Sequence, residues 1–325
     1  MANLAELVPD IKVSVNQIFG IDTEMKVDGF SKKSEYVPEI DSNYKFDRDT
    51  TLAIISGFAF NKRVLIQGYH GTGKSTHIEQ VASRLNWPCL RINLDSHITR
   101  GDLIGKDIIK IENGVQKTDY KDGMLPWAIQ RPAALVFDEY DAGRPEVMFV
   151  IQRILESNGK FTLLDDNKVL DPHPSFRMFA TANTIGQGDN LGIYHGTNQI
   201  NQGQMDRWNI VSILNYLSPE KELKIVLSKI QTFKNPSDIE KVKLMISLAG
   251  LVRKGFTRGD LTSVLSPRTV INWAENYIIF NDITVSFKLT FLNKCEDDEK
   301  PIIAEYFQRV FDIDLPESGI NKIKK

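Results

Sequence analysis

The sequence contains 325 residues, of which 42% are hydrophobic and 25% are charged, and its formal net charge is −2. These values are ordinary for a soluble globular protein of two domains, and the lack of a long basic run argues against a dedicated nucleic-acid-binding protein. The two cysteines, Cys89 and Cys295, are far apart, so we expect no disulfide framework and a cytoplasmic location. No apolar run is long enough to cross a membrane, and the first residues lack the pattern of a secretory signal.

The predicted elements alternate between strands and helices over the first two thirds of the chain. Residues 1–45 predict a small N-terminal segment and a connector, and residues 47–60 have helical spacing with acidic residues in the first turn. Short apolar strands are predicted at residues 63–68, 89–95, 133–141, 176–183 and 208–216. Helices are predicted at residues 75–86 and at 145–159, the second closed by Asn158 and Gly159. Such alternation predicts an α/β fold with a parallel five-stranded sheet covered on both faces.

After Ser218 the pattern is helical to the C-terminus. The predicted domains are an N-terminal segment, a central α/β core and a helical lid, at residues 1–45, 46–217 and 218–325. Two hairpin inserts are predicted in the central core, near residues 102–125 and 160–175. The first would turn around Asn113 and Gly114, and the second around residues 165–167.

The segment "QGYHGTGKSTH", residues 67–77, is typical of a phosphate-binding loop. It fits the pattern G-x-x-x-x-G-K-[ST], with an apolar strand before it and a helix after it, so that backbone N–H groups can face phosphate oxygens. Lys74 can reach the β- and γ-phosphates, and the Ser75 hydroxyl can hold Mg²⁺. No chemical role is given to the imidazoles of His70 and His77. The predicted ATP-binding residues are the loop and the first helical turn: Gly68, Tyr69, His70, Gly71, Thr72, Gly73, Lys74, Ser75 and Thr76.

Acidic residues follow the third predicted strand, in "LVFDE". Asp138 can hold Mg²⁺, and Glu139 can polarise the attacking water, an arrangement that favours hydrolysis over nucleotide storage. Asp141 is interpreted as a residue that packs at the loop. Asn183 ends the next strand, in "FATAN", and can orient the same water.

Two arginines are candidates for contact with phosphate. Arg207 precedes the fifth strand and can reach the γ-phosphate of a neighbouring subunit, with a local ion pair to Asp206 as the alternative. Ser266 is a suitable N-cap for the helix that follows, and Pro267 suits its first position. Arg268 then lies in the first turn, where a cation opposes the helix dipole, which favours an external anion such as a nucleotide phosphate. The alternative is an ordinary surface arginine.

These motifs together resemble those of AAA+ ATPases. The resemblance implies that Asn183 is sensor 1, Arg207 the arginine finger and Arg268 sensor 2, in a hexameric ring with ATP between subunits. The two inserts resemble the hairpins of the MoxR and magnesium-chelatase branch, which line or rim the ring and meet the remodelled partner.

Longer phrases narrow the resemblance further. "DEYDAGRP" at 138–145 and "YHGTNQINQGQMDRW" at 194–208 are similar to the AAA+ subunits of aerobic cobaltochelatases, and the similarity runs from about residue 20 to about residue 318. It implies ATP- and Mg²⁺-dependent insertion of Co²⁺ into hydrogenobyrinic acid a,c-diamide on the aerobic route to cobalamin. The implied partners are a second small subunit with a metal-ion-adhesion domain and a large tetrapyrrole-binding subunit, with no nucleic acid and no membrane.

Other functions share part of this pattern. A MoxR-type chaperone ATPase for another metalloenzyme would carry the same motifs. A nucleic-acid remodelling ATPase is disfavoured by the mild acidity, and a GTPase switch by the lack of a guanine-reading motif. A structural scaffold would require the catalytic set to be inert. Because His, Cys, Asp and Glu form no cluster at metal-ligand spacing, we expect no specific cobalt site on this chain.

Overall fold

The computed structural model describes residues 4–95, 97–112, 114–156, 159–163, 168–184, 200–230 and 232–315. Asn113, Asn158 and the predicted turn at 165–167 lie outside these residues, as do residues 194–199 of the longer phrase quoted above. The described chain divides into two compact units. The first holds the residues up to Tyr69 and those from Gly73 to Leu214, and the second holds His70–Thr72 and the residues from Asn215 onward.

The first unit is a mixed α/β structure. Its strands are β1 (Ile11–Ser14), β2 (Lys26–Gly29), β3 (Val64–Gln67), β4 (Cys89–Asn93), β5 (Gly105–Glu112), β6 (Val115–Asp122), β7 (Ala134–Asp138), β8 (Phe161–Leu163), β9 (Lys168–Leu170), β10 (Arg177–Ala182) and β11 (Ile210–Ile213). Its helices are α1 (Val15–Phe19), α2 (Arg48–Phe60), α3 (Lys74–Arg84), α4 (Arg100–Ile104), α5 (Met124–Ile129), α6 (Pro145–Leu155) and α7 (Gln202–Met205).

Five parallel strands form the central sheet, in the order β11-β3-β10-β7-β4. Every residue of β3, β7 and β10 is buried, as expected for strands covered on both faces. The predicted fold class, a five-stranded parallel P-loop core followed by helices, is confirmed. Because the strands are parallel, they end together at one side of the sheet, here named the carboxyl edge, and begin together at the other, the amino edge.

Alternate strand residues enter two separate apolar cores. Leu135 and Phe137 of β7 face one core, where they pack with α6, and Ala134 and Val136 face the other, where they pack with α2 and α3. This period of two follows from the pleat of the strand. The carboxyl edge is therefore supported on both sides by packed helices, which hold its polar side chains in fixed positions.

The N-terminal segment is part of the second of these cores. β1 pairs with β2 in antiparallel fashion, and the Phe30 amide donates to the carbonyl of Leu85, at the end of α3, at 3.0 Å. The Phe30 ring packs edge-on against Trp87, with centroids 5.0 Å apart. The apolar residues that anchor the segment are all buried: Leu4, Leu7, Val15, Phe19, Ile21, Val27 and Phe30.

Two hairpins extend from the α/β core. β5 pairs with β6 from Gly105 opposite Asp122 to Glu112 opposite Val115, and Gly114 has a φ of 80° at the turn, which favours glycine. β8 pairs with β9 in a shorter hairpin. The first hairpin carries exposed apolar side chains at Ile109, Ile111 and Val115.

Helix α6 ends earlier than the sequence pattern predicts. Its last residue is Leu155, and Glu156 is extended, with φ −67° and ψ 148°. The predicted continuation to residue 159 is therefore wrong. The Glu156 carboxylate lies 3.6 Å from Arg153 and 3.5 Å from Arg207, and these contacts accompany its departure from helical geometry.

The second unit contains α8 (Pro219–Lys229), α9 (Pro236–Arg258), α10 (Pro267–Phe280), α11 (Ile283–Thr290) and α12 (Lys300–Phe311). Its core contains three fully buried aromatic residues, Trp273, Phe287 and Phe307, among aliphatic side chains. A buried ion pair joins α8 to α9, because the Arg253 guanidinium donates to both carboxylate oxygens of Glu222 at 2.7 Å. Across the described residues of both units, no helix combines the length and the apolar character needed to cross a membrane.

Candidate functional site

The glycine-rich loop begins where β3 ends at the carboxyl edge and leads directly into α3. Gly68 has a φ of 153°, and a Cβ at this position would lie 2.1 Å from the Leu214 carbonyl oxygen, so only glycine fits. Gly73 precedes α3 in the left-handed region, with a φ of 85°. The first amides of a helix have no intrahelical acceptor, so the start of α3 offers N–H donors to an anion.

Lys74, the first residue of α3, is only 7% exposed. Its ammonium donates to the carbonyl oxygens of Gly68 at 2.7 Å and Tyr69 at 3.0 Å, and to Asn183 Oδ1 at 2.9 Å. Burial lowers the Lys74 pKa to about 8, although nearby carboxylates, that of Asp141 above all, act in the opposite direction. A desolvated ammonium beside the N-terminus of a helix is suited to a polyphosphate. The structure thus brings together Lys74 and Asn183, two of the residues that the sequence assigns to the site.

Asp138 ends β7 beside the start of α3. Its Oδ1 accepts hydrogen bonds from Ser75 Oγ at 2.5 Å and from Thr181 Oγ1, and its Oδ2 lies 2.5 Å from an Arg91 nitrogen. Burial raises the pKa of Asp138, but the hydrogen bonds from Ser75 and Thr181 and the charge of Arg91 outweigh burial, so the net pKa is lowered. A hydroxyl and an ionised carboxylate in contact are hard oxygen donors of the kind that Mg²⁺ prefers. Ser75 and Asp138 therefore fit this ion.

Glu139 follows Asp138 in a left-handed backbone conformation, with φ 56° and ψ 45°. This conformation is uncommon for a residue with a side chain, and such strain, of order 1–3 kcal/mol, concentrates at functional sites. The Glu139 amide donates to Thr181 Oγ1 at 3.3 Å, so one hydroxyl contacts both acidic residues of the predicted pair. Glu139 is partly exposed, which leaves its carboxylate accessible to water.

Asp141 fixes the end of β10. It is 1% exposed, and its Oδ2 accepts from the amides of Asn183 at 3.0 Å and Thr184 at 2.8 Å and from the Thr184 hydroxyl at 2.8 Å. The interpretation of Asp141 as a residue that packs at the loop is confirmed. The contact also has a consequence for the site, because the backbone that Asp141 holds carries the Asn183 side chain toward Lys74.

The two histidines beside the loop differ in burial. His77 is 1% exposed, its Nε2 lies 2.8 Å from Thr51 Oγ1, and its ring contacts those of Tyr44 and Phe46. Burial lowers the His77 pKa to about 4, so the ring is neutral near pH 7. His77 is thus a packing residue, whereas His70 is exposed at the surface of the loop.

Arg207 lies at the amino edge, on the opposite side of the sheet from the glycine-rich loop. Ile210, three positions later, pairs with Val64, the first residue of β3. The Arg207 guanidinium donates to the Gly203 carbonyl at 2.5 Å and lies 3.5 Å from Glu156 Oε1. Its local ionic partner is therefore Glu156, where the sequence suggested Asp206. The structure does not bring Arg207 to the loop of its own chain.

Arg268 belongs to the second unit, where it is exposed in the first turn of α10. Ser266 Oγ accepts from the Thr269 amide at 3.3 Å, and Pro267 opens the helix, so the predicted cap is confirmed. A cation this close to a helix N-terminus gains nothing from the helix dipole.

Sequence reasoning missed Arg91, Glu79 and Thr181. Arg91 and Thr181 each contact Asp138, and Glu79 lies 3.7 Å from Arg91. The available signals were an arginine within the apolar segment "CLRIN" and a hydroxyl within "FATAN". Neither signal identifies a partner, because strand register decides which side chains meet.

The sheet order, the glycine-rich loop and the contacts of Lys74 and Asp138 define a P-loop ATPase of the AAA+ class, which binds nucleotide. Residues 63–192 match the family model of the AAA domain (dynein-related subfamily), and residues 4–37 match that of the cobaltochelatase CobS subunit N terminal. The sequence is 59% identical over 314 residues to the aerobic cobaltochelatase subunit CobS of Sinorhizobium sp, with 97% of this chain and 95% of that protein covered. The chain therefore belongs to the family of aerobic cobaltochelatase CobS subunits.

More distant similarities extend to other proteins. Midasin of Dictyostelium discoideum is 25% identical over 256 residues, which are 78% of this chain and 4% of midasin. The Holliday junction branch migration motor RuvB of Thermotoga maritima has a TM-score of 0.45 and 14% identity, with 82% of this chain and 68% of that chain covered. A TM-score this low carries no argument about function. The resemblance to cobaltochelatase subunits predicted from the sequence is confirmed, and the alternative functions are not favoured.

Within the residues that the structure describes, no group of three or more His, Cys, Asp or Glu side chains could hold a metal ion.

Proposed function

We propose that this chain is the ATP-hydrolysing motor subunit of a cobaltochelatase that inserts Co²⁺ into hydrogenobyrinic acid a,c-diamide in aerobic cobalamin biosynthesis. The observation that carries the proposal is the 59% identity to a cobaltochelatase subunit over nearly the whole chain. Identity at this level covers both the AAA core and the N-terminal segment, which matches its own cobaltochelatase model.

The carboxyl edge supports the hydrolytic part of the proposal. The amides at the start of α3 and the Lys74 ammonium bind the phosphates of ATP, and Ser75 and Asp138 hold Mg²⁺. When bound, Mg²⁺ neutralises phosphate charge and thereby favours attack at phosphorus. Glu139 takes up the proton of the attacking water. Asn183, which contacts Lys74, orients that water. The contacts among these residues in the nucleotide-free chain support this assignment.

The position of Arg207 supports a ring. Because Arg207 lies at the amino edge, the γ-phosphate it stabilises belongs to the nucleotide of a neighbouring copy. A closed hexameric ring repeats this head-to-tail contact at every interface. Arg268, in the first turn of α10, is the further residue that we assign to the nucleotide phosphates.

Two further subunits complete the proposed enzyme. One is a small subunit with a metal-ion-adhesion domain, and the other is a large subunit that binds the tetrapyrrole and carries out chelation. Cobalt is the substrate of the assembly, and this chain has no assigned role in binding it. Hydrolysis moves the hairpins against the partners, which requires contacts that differ between nucleotide states.

Cobalt insertion in a reconstituted mixture tests the proposal. The full chain is combined with the two partner subunits, Co²⁺ and hydrogenobyrinic acid a,c-diamide, and corrinoid absorbance is followed with and without Mg·ATP. We expect insertion only with Mg·ATP, and its loss with Glu139→Gln. Glu146→Gln removes an exposed carboxylate from α6 and serves as the matched control with normal insertion. Insertion that proceeds equally without ATP, or with Glu139→Gln, would overturn the proposed motor function.

A further inference from the structure

Arg91 bridges two carboxylates near the candidate magnesium site. It lies in β4, the edge strand beside β7, in register with Val136. One guanidinium nitrogen is 2.5 Å from Asp138 Oδ2, and the other is 3.7 Å from Glu79 Oε1. Neither contact is part of the phosphate-binding pattern in the sequence, and the proposed hydrolytic mechanism does not use them.

The two carboxylates are presented to Arg91 from different elements. Asp138 ends β7, whereas Glu79 lies on α3, one helical turn after Ser75 and on the same face of the helix. Ser75 contacts Asp138 Oδ1, and Arg91 contacts Asp138 Oδ2. Both oxygens of Asp138 are therefore engaged within the chain, one by hydroxyl groups and one by a cation.

The two partners differ in their freedom to move. The Asp138 side chain is 9% exposed, whereas the Arg91 side chain is 46% exposed and extends from an edge strand. Arg91 can therefore leave Asp138 without breaking the core, and Glu79 already lies close enough to receive it. A bound Mg²⁺ and a guanidinium on one carboxylate repel each other, because both carry positive charge.

This inference rests on the proposed function, in which Ser75 and Asp138 hold Mg²⁺. We propose that Arg91 is the resident counter-cation of Asp138 in the nucleotide-free chain, that it competes with Mg²⁺ for this carboxylate, and that Glu79 is the acceptor to which it transfers. Arg91 is thus a positioning residue. It holds the Asp138 carboxylate in position before nucleotide arrives, and it sets how strongly nucleotide binding depends on Mg²⁺.

The test measures the coupling between nucleotide and Mg²⁺ in the full chain. The Kd of an N-methylanthraniloyl derivative of a non-hydrolysable ATP analogue is measured by fluorescence with Mg²⁺ and with EDTA. The Kd in EDTA divided by the Kd in Mg²⁺ is the coupling ratio, which is larger when Mg²⁺ strengthens nucleotide binding more. Arg91→Gln removes the competitor and is expected to raise the ratio about fivefold, the size of one partly exposed ion pair. Glu79→Gln removes the alternative acceptor, leaves Arg91 on Asp138, and is expected to lower the ratio about threefold.

Two further variants separate charge from structure. Arg91→Lys keeps a cation beside Asp138 and should give a ratio closer to that of the wild type than Arg91→Gln does. Arg309→Gln removes an exposed arginine of α12, paired with Glu305, and is the control for the change in net charge. Circular dichroism establishes that each variant is folded. If Arg91→Gln does not fold, Glu79→Gln decides the test, because the expected threefold decrease supports the inference and an unchanged or raised ratio overturns it.

The competing outcomes are distinct. An unchanged ratio in Arg91→Gln, or a shift of both charge-removing variants in the same direction, would overturn the inference. Equal weakening with Mg²⁺ and with EDTA would also overturn it, because Arg91 would then contact the nucleotide itself. A wild-type chain that binds no nucleotide would instead contradict the proposed function, which separates the two failures.

Discussion

Charged side chains at the two edges of the central sheet differ in their contacts and in their exposure. At the carboxyl edge, Lys74 donates to Asn183 and Ser75 donates to Asp138, all within one chain. At the amino edge, Arg207 has an ionic partner at 3.5 Å, in Glu156, and its side chain is 30% exposed. The candidate phosphate site thus lies at the carboxyl edge, and the Arg207 guanidinium lies at the opposite, amino edge.

The amino edge also shows what a structural arginine looks like in this fold. Arg177, the first residue of β10, is 8% exposed and donates from Nε to the Phe58 carbonyl at 2.8 Å and from NH1 to the Pro174 carbonyl at 2.8 Å. Burial lowers the Arg177 pKa to about 10. Arg207 is more exposed, although it also donates to a backbone carbonyl, that of Gly203, at 2.5 Å. The two arginines are therefore distinguished by burial.

The largest expected effect on ATP turnover comes from removing the arginine at the amino edge. Arg207→Ala should lower ATP turnover by the assembled protein about 10³-fold, because the arginine stabilises transition-state charge on the neighbouring nucleotide. Nucleotide affinity per chain should change little. Steady-state phosphate release and fluorescent nucleotide binding measure the two quantities. Glu156→Gln, which removes only the local partner of Arg207, is the matched control and should retain most turnover.

Removing the carboxylate of Glu139 at the carboxyl edge should have the next largest effect on ATP turnover. Glu139→Gln should lower ATP turnover about 10²-fold or more, since general-base assistance contributes at least this much, while nucleotide binding persists. Phosphate release and equilibrium nucleotide binding are measured on the same preparation. Turnover close to that of the wild type would remove Glu139 from its assigned role.

The helix that carries Lys74 and Ser75 also carries His77, so its packing makes stability depend on pH. The folded pKa of His77 is about 4, below its ordinary value of 6.5, so the unfolded chain takes up a proton that the folded chain excludes. The free energy of unfolding should therefore fall as pH drops below 6.5, by about 2 kcal/mol on reaching about pH 5. Urea unfolding at about pH 7 and at about pH 5 measures the change in the free energy of unfolding.

Two variants assign this pH dependence. His77→Phe, which keeps an aromatic ring beside Tyr44 and Phe46, should remove most of it. His97→Asn, at an exposed position, should leave it unchanged. A pH dependence that survives in His77→Phe would place its origin in other groups.

An effect of similar size is expected when the support of the acidic pair is removed. Thr181→Val removes the hydroxyl that donates to Asp138 and accepts from the Glu139 amide, with little change in volume. Loss of a buried hydrogen bond to a carboxylate should lower the free energy of unfolding by about 1–3 kcal/mol. Thermal or urea unfolding measures this loss. Thr257→Val, at an exposed position of α9, is the comparison and should be nearly neutral.

Local patterns account for what the sequence could predict. The five strands are short and mainly apolar, and the phosphate-binding loop lies within one segment, so both can be recognised without knowledge of the fold. The contacts of Arg91 and Thr181 with Asp138 could not be predicted, because they depend on the register of three strands. The end of α6 at Leu155 was missed for a similar reason, since Glu156 contacts Arg207 from a distant part of the chain.

The N-terminal segment illustrates the same limit. Its polar composition predicts a connector, but its few apolar residues are spaced so that most of them enter the core beside α2 and α3. Phe30 packs against Trp87, and this long-range contact leaves no mark on the local pattern. The roles assigned to Arg207 and Arg268 remain predictions, because they concern a neighbouring copy and a bound nucleotide.

A mixture of two inactive variants gives the most direct test of the central claim. The claim is that the carboxyl edge of one copy and Arg207 of a neighbouring copy form one catalytic site. Glu139→Gln chains have a defective carboxyl edge and an intact Arg207, whereas Arg207→Ala chains have the opposite defect. When the two are mixed in equal amounts, about one quarter of the interfaces in a head-to-tail ring join an intact carboxyl edge to an intact Arg207. We expect that ATP turnover, nearly absent in each variant alone, returns in the mixture. A mixture as inactive as its components would contradict it.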